Sequence, residues 1–431
     1  MIYRMKRYAI IALVALAVVF FAVKQVESCA ERGDIKFYFP AGKAVLAGDE
    51  LYGSSCIGGG YLYPPFFALL MVPFALLPHY VGAAVWFVLG AASLFFFFAV
   101  SLYFVEAPSA RLAPWLREKL RALSRGKFNL VLVLAAVLAG RFWLDNLRYG
   151  LVDVHLWSLS LLGVYFAVSG RRLAGGALLG LTMATKPITA TVLFFLLLRR
   201  EYRAPLVALG LVAVLYLAPA AVLGWGRNAE LLGVWYERVV RSASTEFYVY
   251  AYEYNQSFPS LAFSYAKLFR GGGSAALSMV PSAFPYVKWA GNILAALAVI
   301  VASVKYLRRP RAPADAFWNA PASCTVLALV MLTGVIFEPL SWVGYYVATL
   351  FPYVVVLYAA RHWARKGVAV TLYILLGLSF LIHSVVGADF WGAEAKEMLL
   401  DYKCVTWSAL VVYAALLVAL FGAFRPRRAE R

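Results

Sequence analysis

Asp34 lies a few residues past the first apolar run, with Arg32 and Lys36 beside it and Phe37, Tyr38 and Phe39 following. A carboxylate at a bilayer surface, kept ionised by neighbouring cations, is suited to take a proton from a hydroxyl. The alternative is an ordinary solvated carboxylate, a role that fits Glu31 and the Asp49-Glu50 pair of the turn-like Gly48–Tyr52 stretch better. Lys186 is the second candidate, placed directly before Pro187 between two short apolar runs. A lysine in apolar surroundings is expensive and usually has a purpose or a partner. A phosphate contact and snorkelling to the surface are its two readings. Arg148, in the stretch Asp145–Gly150, is either a second phosphate ligand or a salt-bridge partner of Asp145 or Asp153. Trp342 and Tyr345, just after Glu338-Pro339, can wall a sugar or an isoprenoid, or simply belong to an interfacial aromatic belt. His155 fits packing better than catalysis. The outer segments hold no Asp-x-Asp, the usual clamp for a metal-bound nucleotide diphosphate. The residues therefore point to metal-free, cofactor-free chemistry with a lipid monophosphate as leaving group.

The elements that must position these side chains are membrane helices. The chain is 63% hydrophobic and 14% charged, with mean hydropathy +0.77, outside the soluble range. Apolar runs of about 17–25 residues recur, each long enough to cross the hydrocarbon core as a helix and too continuous for barrel strands. The formal charge of +19 is not a nucleic-acid signature. Its basic residues cluster at run ends, at 111–127, 171–172, 199–203, 305–311, 361–366 and 425–431. That is the positive-inside pattern, with anionic lipid as counter-charge. The first run lacks a small-x-small cleavage site and is read as an uncleaved helix. Among four cysteines no C-x-x-C pair occurs, so a zinc or redox motif is absent. Cys29 and Cys56 fall on one outer segment, where a disulfide is permitted; Cys404 is the other possible partner.

With both termini inside, one path keeps the basic segments inside. Its spans are 8–26, 81–105, 128–144, 151–169, 173–185, 187–198, 204–224, 285–304, 320–337, 343–360, 367–384 and 404–424. The expected architecture is an all-α polytopic membrane protein of about twelve transmembrane helices in one integral domain. Two spans, 173–185 and 187–198, are too short to cross fully, and their far flanks are both basic. They read as a re-entrant hairpin with Lys186 at its tip. The run 63–77 reads as a juxtamembrane helix in the outer leaflet, started by Pro64-Pro65. Two long outer segments, 27–62 and 225–284, are the expected cover of an active site.

Taken together these positions resemble glycosyltransferase family 87, the polyprenyl-phosphate-mannose-dependent mannosyltransferases of the GT-C membrane fold. The resemblance runs from the first span to about Tyr353. It is carried in order by Asp34-x3-Tyr38, Gly48-x3-Tyr52, Tyr63-Pro64-Pro65, Trp86, Gly180 to Lys186-Pro187, Asn255-Gln256-Ser257 and Pro339-x-Ser341-Trp342. It implies a GT-C-like bundle and Asp34 as catalytic base. It also implies outer loops enclosing a donor lipid that carries one sugar on a phosphate, and a glycan acceptor. Lys186 and Arg148 are then the expected phosphate ligands. Tyr38, Tyr52, Tyr63, Asn255, Gln256, Trp342 and Tyr345 are the expected sugar or lipid contacts. Two positions depart from the family pattern: Gly150-Leu151 replaces a Gly-Gln pair, and Gly344-Tyr345 stands where histidines follow the Ser-x-Trp motif. Phosphate binding must therefore lean more on Lys186 and Arg148. The expected activity is an inverting hexosyl transfer at the outer face of the plasma membrane. A lipid or sugar flippase, or a non-catalytic glycan-assembly scaffold, are the rival classes. Long outer segments and the lack of internal repeats weigh against the flippase.

Overall fold

In hydrocarbon a backbone amide has no water to bond, so each crossing segment must close its hydrogen bonds within a helix. The computed structural model follows that rule and is nearly all helix. It describes residues 16, 19–53, 60–106, 111–268, 284–307, 321–384 and 388–423. Among the described residues, six helices are long and apolar enough to cross a bilayer: His79–Glu106, Arg203–Leu223, Phe284–Val304, Val343–Trp363, Lys366–Ser384 and Cys404–Gly422. Val343–Trp363 is the hub, buried along almost its whole length, whereas Arg203–Leu223 turns most of its surface outward. Shorter apolar helices, among them Asp153–Val168, Pro187–Leu198 and Pro321–Phe337, fill the space between. The protein is thus an all-α polytopic membrane protein.

Several expected boundaries change. The run 128–144 is not one straight span: Leu130–Leu138 and Gly140–Arg148 meet at a 67° bend. The second piece carries Arg141, Asp145, Asn146 and Arg148, which are costly in hydrocarbon, so the chain turns aside at Ala139-Gly140. Most of the run 8–26 lies outside the described residues; the helix seen there continues past Val26 to residue 32. The described parts of segments 27–62 and 225–284 are folded rather than open. Ile35–Ala47 is a helix that buries Ile35, Tyr38, Phe39, Gly42 and Val45 along one face and ends on Gly48 in the left-handed conformation (φ 76°). It packs on the apolar helix Pro65–Ala75, which starts as Pro64-Pro65 implies. Segment 225–268 folds as well, beginning with Trp225–Trp235 and ending with Phe258–Leu268.

The hairpin around Lys186 has its two feet together. Arg172 Nε lies 3.0 Å from Glu201 Oε2, joining the start of helix Arg172–Thr185 to the residues just past Leu198. Glycines thin that first helix so that neighbours can approach it from two sides. A Cβ on Gly176 would meet Ala204 O at 2.6 Å, and one on Gly180 would meet Ala208 O at 2.7 Å. Gly176-x3-Gly180 against Ala204-x3-Ala208 is a small-residue seam of the kind that packs helices in lipid. Gly175 makes a similar approach to Ala167 on Asp153–Val168. The helix that carries Lys186 is therefore clamped between backbones, which fixes where its C-terminal end points.

Gly176→Leu is expected to force this seam apart, costing about 1–3 kcal/mol by overpacking. Thermal melting in detergent checks it. Gly210→Leu, at a position with open space around it, is expected to melt as the parent does.

Candidate active site

Asp34 is aimed by the turn that precedes its helix. The helix ending at residue 32 breaks at Gly33, where a Cβ would meet Cys29 O and Tyr149 O at 2.5 Å each. Asp34 N then donates to Tyr149 O at 2.9 Å. Gly150, next in chain, has φ 58°, a conformation that favours glycine, and its carbonyl accepts from Trp86 Nε1 at 2.8 Å. One close-packed junction thus ties Asp34 to the turn before Asp153. Cys29 sits in that junction as a buried free thiol, and Cys404 is also free. The Cys29 sulfur packs against Gly150; Cys56, its expected disulfide partner, lies outside the described residues.

Asp34 opens into a cavity of about 300 Å³, at the small end of the range for ligand sites. Tyr38 Oη donates to Asp34 Oδ2 at 3.0 Å and shares a 2.9 Å bond with Tyr63 Oη. Burial, together with the Asp34 charge, holds both phenols well above the ordinary tyrosine range, so they stay protonated. Asp34 itself is pushed up to about 6, chiefly by desolvation. The Tyr38 bond and the charges of Lys186 and Lys36 pull it back, while Asp153 raises it further. A carboxylate near 6 is a stronger base than a wet aspartate and is still ionised at neutral pH.

Lys186 faces the same cavity for a local reason. A residue before proline avoids the α region, so Pro187 ends the helix and leaves Lys186 extended (φ −149°, ψ 108°). Its ammonium reaches Asp153 Oδ1 at 2.7 Å and lies 3.2 Å from the centroid of the Tyr345 ring. Asp153 and Lys186 side chains are only 3% and 11% exposed, so this is a buried pair. Asp153 opens its helix, where the macrodipole favours a negative charge. Lys186 is thus buried and paired with an acid rather than snorkelling away, and it lines the cavity.

The opposite wall is the segment Glu338–Trp342, and Asn255 holds it. Asn255 Nδ2 donates to Val249 O and Pro339 O, each at 2.9 Å, while Oδ1 accepts from Ser257 N and Ser341 N. Every bond its amide can make goes to backbone, which leaves none for a sugar. Gln256 is committed on its donor side: its N donates to Ser341 O at 2.6 Å and its Nε2 to Glu253 O and Leu400 O, while its buried Oε1 has no hydrogen-bond partner among the described residues. These two residues were expected as sugar contacts; they instead brace the loop that carries Trp342.

The cavity brings together Asp34, Tyr38, Tyr63, Lys186, Trp342 and Tyr345. Tyr52 stands behind it, its hydroxyl donating to Tyr63 O at 2.8 Å. Arg148 is not among the lining residues; its guanidinium lies 5.5 Å from the Tyr149 ring centroid. The helix Gly140–Arg148 that carries it is held in place against Val343–Thr349 by Asn146, whose Nδ2 donates to Gly344 O at 2.9 Å. Three contributors were not singled out from sequence. Asn146 links Gly344 to Val154 N, Asp153 partners Lys186, and Glu338 lines the cavity. Glu338 ends an apolar run, and that position was its available signal. Segment 235–244 also lines the cavity and is tied to the 52–62 region: Trp235 Nε1 donates to Leu62 O at 3.2 Å, and Arg238 Nη1 to Tyr52 O and Gly53 O at 2.9 and 2.6 Å.

Residues 61–334 match glycosyltransferase family 87. A relative from Mycobacterium tuberculosis, a polyprenol-phosphate-mannose-dependent alpha-(1-2)-phosphatidylinositol mannoside mannosyltransferase, is 26% identical over 411 residues, covering 90% of this chain and 85% of its own. Among solved structures, ArnT from Cupriavidus metallidurans bound to undecaprenyl phosphate aligns with a TM-score of 0.38 at 16% identity, over 95% of this chain and 77% of that one. Its apo form aligns with a TM-score of 0.32 at 16% identity, over 96% and 77% of the two chains.

Lys186→Met leaves Asp153 buried without its cation and is expected to cost about 3–5 kcal/mol of stability. Lys186→Met combined with Asp153→Leu removes both charges and is expected to regain most of that loss. Thermal melting of the two variants beside the parent measures the recovery; a double variant no more stable than the single one contradicts the pairing.

Proposed function

Because the chain belongs to glycosyltransferase family 87, and is by that a membrane glycosyltransferase, we propose that it moves mannose from polyprenyl-phosphate mannose to a lipid-linked or protein-linked glycan. The observation that carries this is the joining of Asp34 and Lys186 in one cavity. One is a base near neutral pKa and the other a cation for a phosphate. The relative's name supports mannose on a polyprenol phosphate as donor.

In the proposed reaction Asp34 takes the proton of the acceptor hydroxyl as that oxygen attacks the anomeric carbon. The bond from that carbon to the phosphate oxygen breaks, and its electron pair leaves with the polyprenyl phosphate. Attack opposite the leaving group inverts the anomeric centre. Lys186 meets the charge that develops on the leaving phosphate, where a preorganised cation in a water-poor site is worth most. No metal or cofactor is called upon. Leu151 and Gly344, where this chain departs from the family's Gly-Gln pair and histidine, pack against each other: a Cβ on Gly344 would run into Leu151 Cδ1. An apolar contact thus stands where polar phosphate ligands are otherwise expected, and Lys186 carries the phosphate alone. Tyr38 and Tyr63 keep Asp34 oriented, and Trp342 and Tyr345 wall the sugar or the first isoprene units.

We place the remaining apolar helices as further spans of a GT-C-like bundle of about twelve, with both termini inside by the positive-inside pattern. The cavity then lies at the outer face of the plasma membrane, under a cover made by 27–62 and 225–284.

Transfer from radiolabelled polyprenyl-phosphate mannose by the purified protein tests the reading. Asp34→Asn is expected to lower turnover by about 10²–10⁴-fold, the range for a general base. With Asp34 near 6, kcat/KM is expected to fall tenfold per pH unit below about 6 and to level off above it, since the ionised form is the active one. Full activity in Asp34→Asn, or a rate that does not fall in acid, removes the base assignment.

A further inference from the structure

Two polar groups on the cavity wall have no partner among the described residues. Glu338 Oε1 and Trp342 Nε1 are both buried, both belong to cavity-lining residues, and neither makes a hydrogen bond there. A buried donor or acceptor left without a partner is costly, so it marks a place where a ligand can supply one. Their segment is not loose: Asn255 fixes Pro339 and Ser341, and Gln256 N holds Ser341 O. A braced loop thus carries one buried, unpartnered carboxyl oxygen and one indole N–H, four residues apart in chain, in the wall of the cavity.

We propose that Glu338 and Trp342 form a hydroxyl-recognising subsite, with the Glu338 carboxyl and the Trp342 N–H bonding the hydroxyls of a hexose ring. This rests on the transferase reading and adds to it the group that tells a sugar-bearing lipid from a bare lipid phosphate. A phosphate is the poorer occupant at Glu338. Asp34 and Asp153 already place negative charge in the cavity, and Lys186, the one lining cation among the described residues, is bonded to Asp153. Neutral hydroxyls suit a carboxyl in that field. The groups facing Glu338 agree: burial raises its carboxyl well above the ordinary range, Lys186 lowers it and Asp153 raises it. Proton-on, the carboxyl can both donate to one hydroxyl and accept from another. The Trp342 N–H can only donate, so the pair offers complementary bonds to neighbouring ring hydroxyls. A site built to bond a hydroxyl rejects the analogue lacking it far more strongly than an apolar pocket discriminates.

Glu338→Leu and Glu338→Gln are the variants to compare, with binding of polyprenyl-phosphate mannose and of sugar-free polyprenyl phosphate measured on each. Thermal melting confirms that both variants are folded. Leucine is expected to weaken the sugar-bearing lipid about tenfold or more while leaving the bare phosphate within about twofold, and glutamine is expected to recover most of the loss. If donor binding is unchanged but KM for the acceptor glycan rises by a similar factor in Glu338→Leu, the hexose read at this subsite is the acceptor's. Equal weakening of both lipids, or no change in donor binding and acceptor KM, overturns the subsite. A parent protein that transfers sugar while Glu338→Leu behaves identically defeats this inference alone. A parent that neither transfers nor prefers the sugar-bearing lipid defeats the transferase reading itself.

Discussion

The site depends on one buried cation. Lys186 stands in a water-poor cavity whose other charged groups are carboxyls, and the fold answers its desolvation with Asp153 at 2.7 Å and the face of Tyr345. Removing an ammonium from water costs several kcal/mol, so a lysine without such partners would snorkel away. Several features of the chain follow from keeping it in place. Pro187 breaks the helix so that the side chain leaves sideways. Glycines clamp the helix behind it, and a helix N-terminus carries its partner carboxylate. The pair also stores the means of binding an anion, because an incoming phosphate competes with Asp153 for a cation that is already positioned.

Around that pair the cavity is assembled from segments far apart in sequence, each locked by backbone contacts rather than by side-chain bulk. Asp34 is held through Tyr149 and Gly150, the turn before Asp153 through Asn146, and the Trp342 wall through Asn255 and Gln256. This division suits catalysis, which rewards donors and bases that need no rearrangement as charge develops. Asn255, which holds a wall, has its amide saturated with hydrogen bonds, whereas Glu338 and Trp342, which face the cavity, keep free valences.

Much of this was legible in the sequence because lipid simplifies the code. Long apolar runs, basic run ends and a proline after an isolated lysine each have one dominant physical reading, and the all-helical membrane architecture and the hairpin came out accordingly. Asp34, Lys186, Tyr38, Tyr63, Trp342 and Tyr345 do share a cavity. What failed was contact between distant segments. Asn255 and Gln256 read as sugar ligands through the family resemblance; only the fold shows the Asn255 amide spent on Pro339 and Ser341 and Gln256 Nε2 on Leu400. Arg148 lay close to the site in sequence, and its helix does reach the site through Asn146 and Tyr149, yet its guanidinium lies beside the Tyr149 ring and does not line the cavity. The segment 35–47 was taken for a loop, since Pro40 and its short length hide the helical spacing of Ile35, Tyr38, Phe39 and Val45. Glu338 was passed over because nothing in one sequence distinguishes a carboxyl that ends a span from one that lines a pocket.

The central claim is geometric: the base that activates the acceptor hydroxyl and the cation that meets the donor phosphate flank one bound donor. A structure of the Asp34→Asn variant with polyprenyl-phosphate mannose bound tests it most directly. The account expects the donor phosphate within hydrogen-bond distance of Lys186 Nζ, and the anomeric carbon facing the residue-34 side chain with room for an acceptor hydroxyl between them. A donor seated with its phosphate away from Lys186, or with its sugar outside the cavity lined by Asp34, contradicts it.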